Sequence, residues 1–290
     1  MLWQQIINGL SLGSMYALLA VGFALICGIL RMITFAHGEV FMVGAFAGLG
    51  VVVGLHAGPV IGLAAAIGVS LLLGLVTERV AFRPFRGGSH LSPALITIGF
   101  SIILQAAVLL IVGADTKPFP YDVGGVKFTV GTTVIAGIEI IVIGLTLVLM
   151  AALQLFIRKT RWGLALRATS ENFAAASIMG VKINRVVALA FGVASALAGA
   201  DGLLVGAYYG AFYPQMGVSI SLKALAAATL GGIGSVSGAM LGSLLLGLIE
   251  SMTVAYISAG YRDVIAFAIL VAVLLIRPSG LIGRAEEEKV

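Results

Sequence analysis

Apolar residues recur along the chain in long runs that short polar stretches interrupt. A hydrocarbon core of about 30 Å needs about 20 apolar residues in a helix, and eight runs approach or exceed that length. A ninth run, residues 219–234, is too short to cross at about 1.5 Å per residue and carries Lys223. The pattern predicts an all-α integral membrane protein, a single polytopic bundle over residues 1–290. The eight predicted spans are residues 8–30, 40–55, 60–77, 91–113, 134–157, 186–208, 236–257 and 261–276.

One or two of the helices are predicted to be broken or re-entrant. The first break is the segment TFAHGE at residues 34–39, and the second is the turn GGIG at residues 231–234. Ionisable side chains and unpaired peptide groups are costly in lipid unless they are packed in protein or line a polar cavity. Short or glycine-interrupted segments mark the substrate region of many transporters. We therefore predict a substrate pathway that includes Thr34, Phe35, His37, Gly38, Glu39, Gly231 and Gly232.

The carboxylates inside the apolar segments allow more than one interpretation. Glu39 can cap a helix that begins at Val40, or it can contact the substrate directly. A zwitterionic substrate needs a donor for its carboxylate and an acceptor for its ammonium group, and free helix ends supply both. Asp201 and Glu250 can pair with each other, with Lys223 or with a second subunit, and the sequence does not choose among these.

Composition excludes an ordinary soluble domain and argues against an enzyme. Hydrophobic residues make up 60% of the chain and charged residues 10%, against about 25% charged residues in soluble domains. The chain contains no Gly-x-x-x-x-Gly-Lys-Ser/Thr motif, so it cannot be an ATPase alone. His37, His56 and His90 have no metal-ligand spacing, and the single cysteine, Cys27, excludes an intrachain disulfide. We predict a transport subunit with no cofactor and no metal of its own.

The distribution of the 17 Lys and Arg residues predicts the topology. Three lie at residues 79–86, six at residues 158–185 and three after residue 276, and Lys and Arg near span ends mark the cytoplasmic side. The polar residues 114–133 are therefore predicted to be external. Met1 is outside if residues 40–55 cross the membrane and inside if they are re-entrant. Membrane lipid explains the basic residues, and no nucleic-acid partner is needed.

Several motifs in order resemble one transporter family nearly from end to end. The resemblance is to the LivH-type permease of bacterial branched-chain amino acid ABC importers. One departure is Thr34, where that family more often has Asn, and a hydroxyl cannot replace both amide hydrogen bonds. The motifs are NGLSLGSMYAL at residues 8–18, ITFAHGE at 33–39, ERVAFRP at 78–84, RATSENFAAASIMG at 167–180, LGGIGS at 230–235 and RPSGLIGR at 277–284.

The resemblance implies a multi-subunit importer in the bacterial inner membrane. Its implied partners are a second homologous permease chain, two cytoplasmic ABC ATPases that bind ATP and Mg²⁺, and a periplasmic protein that delivers leucine, isoleucine or valine. The nearest alternative is a permease for urea or short amides, and a sugar is a more distant substrate. A self-sufficient channel or secondary carrier is a different class, and it predicts uptake by the purified chain without ATP.

The cytoplasmic loop at residues 158–185 is predicted to couple the chain to an ATPase. Ser170 can cap a short apolar helix, with Glu171 favourable at its positive end. The loop resembles the Ala-Ala-x-x-x-Gly core by which importer permeases dock into a cleft on the ATPase. A solvated loop without a partner would explain the arginines but not the stripe of small residues. The predicted coupling residues are Arg167, Ser170, Glu171, Asn172, Ala175, Ala176 and Gly180.

Overall fold

The computed structural model describes residues 2–30, 32, 34–85, 91–121, 125, 127–130 and 133–283. Several residues named in the sequence analysis lie outside the described residues. They include Arg86 of the first basic segment, the histidine His90, and Arg284 of the last motif. Eleven α-helices form the described part of the chain. They are α1 (Leu2–Leu30), α2 (His37–Gly54), α3 (Pro59–Thr77), α4 (Leu91–Val112), α5 (Gly137–Lys159), α6 (Arg161–Glu171), α7 (Phe173–Ile178), α8 (Ile183–Tyr209), α9 (Met216–Gly231), α10 (Val236–Tyr256) and α11 (Arg262–Ile276).

Eight helical segments are long and apolar enough to cross a bilayer, where α3 and α11 are counted together with their adjoining turns. This confirms the predicted all-helical membrane bundle for the described residues. The helix α9 is the short ninth segment. A π-helical turn (Glu78–Phe82) and a 3₁₀ turn (Arg83–Phe85) extend α3, and another 3₁₀ turn (Ala259–Tyr261) precedes α11.

Four short strands lie outside the helices in the described part of the chain. The strands β2 (Lys127–Val130) and β3 (Thr133–Ala136) form an antiparallel hairpin, and β1 (Lys117–Pro118) pairs antiparallel with β4 (Ala211–Phe212). The predicted span at residues 134–157 therefore began too early. Its first apolar residues belong to the strand β3 of the hairpin, and the helix α5 starts only at Gly137.

Local residue choices explain several helix ends. Pro59 occupies the first turn of α3, where its missing N–H costs nothing. Gly210 ends α8 in the left-handed region with φ of 66°, which glycine adopts without a steric penalty. The helix α2 begins at His37, three residues before the predicted start, because the backbone of Ala36 is already helical and its carbonyl accepts from the amide of Val40 at 3.1 Å.

The helix α1 forms the centre of the bundle. In its most apolar stretch 89% of the residues are buried, against 6% for α11. Glycine allows its backbone to touch α10, since a Cβ at Gly13 would lie 2.7 Å from the Cα of Leu244. A helix that is apolar on all sides is expected in this central position. The outer faces of α4, α5 and α11 are left for lipid or for another chain.

The N-terminal end of α1 lies on the external face. The side chain of Gln4 exchanges two hydrogen bonds of 2.9 Å with the backbone of Val134, next to the start of α5. The opposite end of α5 runs into the basic residues 158–185, which mark the cytoplasm. The N-terminal end of the chain is therefore external. This agrees with the prediction for the case in which residues 40–55 cross the membrane, and α2 is one of the eight apolar helices.

Candidate functional site

The first predicted break lies inside the bundle. The helix α1 ends at Leu30, but α2 begins beside Gly22, which lies about two turns before that end. A Cβ on Gly22 would collide with Nε2 of His37, so the two residues are in direct contact. The imidazole is buried, lies edge-on to Phe23 with ring centroids 4.9 Å apart, and Nε2 has no hydrogen-bond partner among the described residues.

Glu39 is buried and does not cap the helix. The predicted capping role was wrong because α2 begins at His37, so Glu39 lies within the first turn, and no described side chain caps that end. One carboxylate oxygen, Oε1, accepts from the hydroxyl of Ser101 at 3.3 Å. The other, Oε2, has no partner among the described residues and lies 3.2 Å from the position of a Cβ on Gly217. The free oxygen of this buried carboxylate therefore faces the start of α9.

The N-terminal ends of α2 and α9 meet at two glycines. A Cβ on Gly217 would lie 2.5 Å from the carbonyl oxygen of Gly38, and a Cβ on Gly38 would lie 2.6 Å from the carbonyl oxygen of Gly217. Only glycine at both positions allows this approach. The first amides of a helix lack partners inside it and carry a partial positive charge. Two such ends and a buried carboxylate can hold a small zwitterion without any metal or covalent step.

The other predicted pathway residues divide into two groups. Thr34 is buried in the segment before α2, and Phe35 is 41% exposed, with its amide donating to Oγ1 of Thr97 at 3.4 Å. These two lie with His37, Gly38 and Glu39 at one end of α2. The structure does not bring Gly231 and Gly232 to this place.

Gly231 and Gly232 lie at the opposite end of α9, about 20 Å away at 1.5 Å per residue. The carbonyl oxygens of Leu230 and Gly231 accept from the amides of Leu281 and Ile282 at 2.9 and 3.0 Å. A Cβ on Gly232, whose φ is 113°, would lie 2.5 Å from the amide nitrogen of Gly283. This end of α9 is therefore closed by backbone from the C-terminal segment.

A buried ion cluster surrounds Glu250, which has no exposed surface. Lys223 Nζ lies 3.2 Å from Oε1, the guanidinium of Arg262 contacts Oε2, and Oη of Tyr16 donates to Oε2 at 2.8 Å. Lys223 was among the predicted partners, whereas Tyr16 and Arg262 were missed. A charge at the edge of an apolar run was the signal for Arg262. Asp201 does not join this cluster, and its two oxygens have no partner among the described residues.

Comparison with known proteins places the chain in a family. Residues 5–274 match the family model described as branched-chain amino acid transport system / permease component. The chain is 42% identical to the high-affinity branched-chain amino acid transport system permease protein BraD of Pseudomonas aeruginosa, over 99% of the chain and 97% of that protein. It is 40% identical to the corresponding protein LivH of Escherichia coli K12, with the same coverage. The chain belongs to this permease family.

More distant relatives and structures add little detail. A probable branched-chain amino acid transport permease protein LivH of Methanocaldococcus jannaschii is 28% identical over 93% of the chain and 89% of that protein. No solved structure matches significantly. The family and the eight apolar helices make this permease a multi-pass protein of the bacterial inner membrane.

The cytoplasmic loop of the permease forms two short helices, α6 and α7. Ser170 does not cap α7 as predicted, because it lies in the last turn of α6 and its hydroxyl donates to the carbonyl of Arg167 at 2.8 Å. The cap is Asn172, whose Oδ1 accepts from the amide of Ala175 at 2.9 Å. Glu171 ends α6 and precedes this cap, so it is not in the first turn of α7.

The short helix α7 presents an apolar surface to the cytoplasm. Ala176 is buried and holds the helix on the bundle, whereas Phe173, Ile178 and Met179 are 43%, 85% and 83% exposed. Gly180 follows the helix with φ of 82°, and a Cβ there would meet nothing within 4 Å. The surface of α7 is thus small and apolar, and no described residue of this chain covers its exposed side chains. Ala175 of α7 and Arg167 of α6 are exposed as well.

Proposed function

We propose that the chain is the permease subunit of an ATP-driven importer that moves branched-chain amino acids delivered by a periplasmic binding protein. One observation carries the proposal: identity of 40–42% over nearly the whole chain to two proteins named as high-affinity branched-chain amino acid permeases. The substrate assignment comes from those names. The geometry supports it, since two helix ends and a carboxylate fit a zwitterion that carries an apolar side chain.

The energy must come from partner chains, because the sequence contains no phosphate-binding motif of the ATPase type. We assign ATP and Mg²⁺ to two cytoplasmic ATPases, one of which docks on the surface of α7 in this chain. A displacement of α7 can reach the bundle directly. Ala176 of α7 is buried, and Gly163 of α6 lies against the backbone of Ile157 at the end of α5. A second homologous permease chain would complete the pathway.

We place the substrate beside the meeting point of α2 and α9. The amides at the two helix starts would bind the substrate carboxylate, and Oε2 of Glu39 would accept from its ammonium group. Apolar surface for the side chain is available at Phe35, which is half exposed. Two different helices would be involved, so a relative movement of their ends would open or close the site.

Uptake by the reconstituted complex tests the proposal. The permease, its second chain, the ATPases and the binding protein are assembled in liposomes, and uptake of labelled leucine, isoleucine, valine and urea is measured with and without ATP. We expect ATP-dependent uptake of the three amino acids and no uptake of urea. Equal uptake without ATP, or by the permease alone, would contradict the proposal in favour of a channel or carrier.

A pair of glycine variants tests the docking surface. Gly180 and Gly113 both have positive φ, 82° and 91°, and a Cβ at either position meets nothing within 4 Å. A valine at either site strains the backbone equally, but only Gly180 borders α7. We expect Gly180→Val to lose co-purification of the ATPases and Gly113→Val to retain it. Retention of the ATPases by both variants would exclude this surface.

A further inference from the structure

A cavity of about 250 Å³ lies on the external side of α9, between this helix, α1, α8 and α11. Its polar wall contains Lys223, Arg262 and Tyr16, and its apolar wall contains Met15, Val205 and Ile220. Tyr209 and Tyr213, from the end of α8 and the segment before α9, complete the lining. A pocket with one apolar wall and a few convergent polar groups is the usual form of a small-molecule site.

The charged side chains that line the cavity are both cations, Lys223 and Arg262, and the two carboxylates that balance them, Glu250 and Asp263, are not part of the lining. Glu250 balances one cation but has no exposed surface, so its charge lies behind the wall. Lys223 has a second partner, Asp263 at 2.6 Å, whose side chain is 61% exposed and therefore screened by water. In the described contacts Arg262 uses Nε and Nη2 toward Glu250 and Tyr16. The N–H groups of Nη1 remain available, as does one hydrogen of the Lys223 ammonium group.

The cavity and Glu39 lie on different faces of α9. Ser219 and Lys223 line the cavity, whereas Gly217 and Ser221 face the first turn of α2. Residues two apart on a helix are separated by about 200° around its axis, so α9 stands between the two places. The lining reaches the external ends of α8 and α11 at Tyr209 and Arg262 and the middle of α1 at Met15, so a substrate arriving from outside would enter the cavity from that external side.

We propose that this cavity is an outer acceptance site for the α-carboxylate of an apolar amino acid, held by Lys223 and Arg262 before the substrate passes α9. The side chain would lie on Met15, Val205 and Ile220, and the tyrosine rings would face the ammonium group. The inference rests on the proposed function, because it names a second binding place on the same route. It differs from the site at Glu39 in its residues, in its position and in holding the carboxylate by cationic side chains rather than by helix-start amides.

Thiol protection at position 219 tests the proposal directly. Cys27 is the single cysteine of the chain and is buried, so Ser219→Cys in a Cys27→Ser background places one reporter in the cavity wall. The assembled complex is treated with the anionic reagent 2-sulfonatoethyl methanethiosulfonate and with its cationic trimethylammonium analogue. Labelling of the α9 peptide is followed by mass spectrometry. We expect the anionic reagent to react about tenfold faster, because a cleft lined by one sign of charge concentrates the opposite sign.

Leucine should protect position 219 from the reagent, and leucinamide, which lacks the carboxylate, should not. The variant Lys223→Met with Glu250→Gln removes one cation and one carboxylate, so the net charge of the cluster is unchanged, and it should need about tenfold more leucine for the same protection. Lys127→Met removes an exposed cation from the external hairpin and should leave protection unchanged.

The outcomes separate this inference from the proposed function. If the wild-type complex takes up leucine but leucine does not protect position 219, the acceptance site is wrong and the proposed function stands. Equal protection by leucinamide would also overturn it, since the carboxylate would not be recognised. If leucine protects position 219 in a complex that takes up no leucine with ATP, the proposed function fails and the binding site stands.

Discussion

The two ends of α9 are built differently. At the C-terminal end, the last carbonyl groups accept hydrogen bonds from Leu281 and Ile282, and Gly231 packs against the backbone of Gly238. At the N-terminal end, Gly217 touches Gly38, and the nearby carboxylate of Glu39 has one oxygen without a partner among the described residues. The C-terminal end of α9 is closed by backbone. The N-terminal end has Oε2 of Glu39 on one side and the cavity lined by Ser219 and Lys223 on the other.

This difference separates a structural role from a transport role. Backbone hydrogen bonds between α9 and the C-terminal segment fix the cytoplasmic end of the helix, so that end is suited to be an anchor. Unpaired polar groups in a membrane protein are costly and mark functional places. We therefore place the substrate at the N-terminal end of α9. The following variants test this difference between the two ends of α9, and those with the greatest predicted loss come first.

Gly217→Val should abolish leucine uptake. Its Cβ would lie 2.5 Å from the carbonyl of Gly38, and neither backbone can move without opening the contact between α2 and α9. Overpacking of this kind costs about 1–3 kcal/mol in protein cores. Gly50→Val is the control, because a Cβ at Gly50 in α2 meets nothing within 4 Å. Uptake into liposomes and assembly on a sizing column are measured together, and wild-type uptake by Gly217→Val would contradict the assigned contact.

Glu39→Gln should lower uptake by about tenfold to a hundredfold, because hydrogen bonds to charged groups contribute about 1.5–3 kcal/mol. The amide keeps the shape of the side chain and loses only the charge that would hold the substrate ammonium group. ATP hydrolysis by the complex should persist. Asp115→Asn removes an exposed carboxylate on the external side and serves as the control. If both variants transport leucine at the wild-type rate, Glu39 does not contact the substrate.

Gly232→Ala should weaken the fold without changing substrate preference. An alanine at φ of 113° is strained, and its Cβ would meet the amide of Gly283. Such strain costs about 1–3 kcal/mol, which lowers the midpoint of thermal unfolding. Gly113→Ala is the control, because Gly113 also has a positive φ, 91°, and a Cβ there meets no described atom within 4 Å. A larger loss for Gly232→Ala would report the contact with the C-terminal segment. A changed ratio of leucine to valine uptake would instead assign this end to the pathway.

Ser101→Ala should have the smallest effect. It removes the hydroxyl that donates to Oε1 of Glu39 at 3.3 Å. One hydrogen bond contributes about 0.5–1 kcal/mol here, which corresponds to a twofold to fivefold fall in uptake. Combined with Glu39→Gln it should add little, because the two side chains act together. Full additivity in the double variant would show that Ser101 acts independently of Glu39.

The sequence was sufficient for the helices but not for their contacts. Apolar length identified all eight membrane helices, because lipid demands that length from any span. It placed the start of α2 at Val40 rather than His37, since an apolar run cannot reveal where backbone hydrogen bonding begins. Asn172 was missed as the cap of α7 because Ser170, another good capping residue, lies two positions before it.

Contacts between distant segments account for what the sequence could not predict. The approach of Gly217 to Gly38 and the position of Arg262 beside Glu250 depend on how the helices cross. Glycine in a membrane helix predicts close packing but does not name the partner. A charge in an apolar run predicts a polar partner, but that partner can come from any neighbouring helix, and for Glu250 it comes from three of them.

Photolabelling with a diazirine analogue of leucine tests whether the substrate binds at the N-terminal end of α9. The complete importer is illuminated during ATP-driven uptake, and the labelled peptides of the permease are mapped by mass spectrometry. We expect labels near Gly38 and Glu39 and at the start of α9, and we expect excess leucine to suppress them. Labels concentrated at Gly231, Gly232 and residues 279–283, with none at the start of α9, would contradict this expectation.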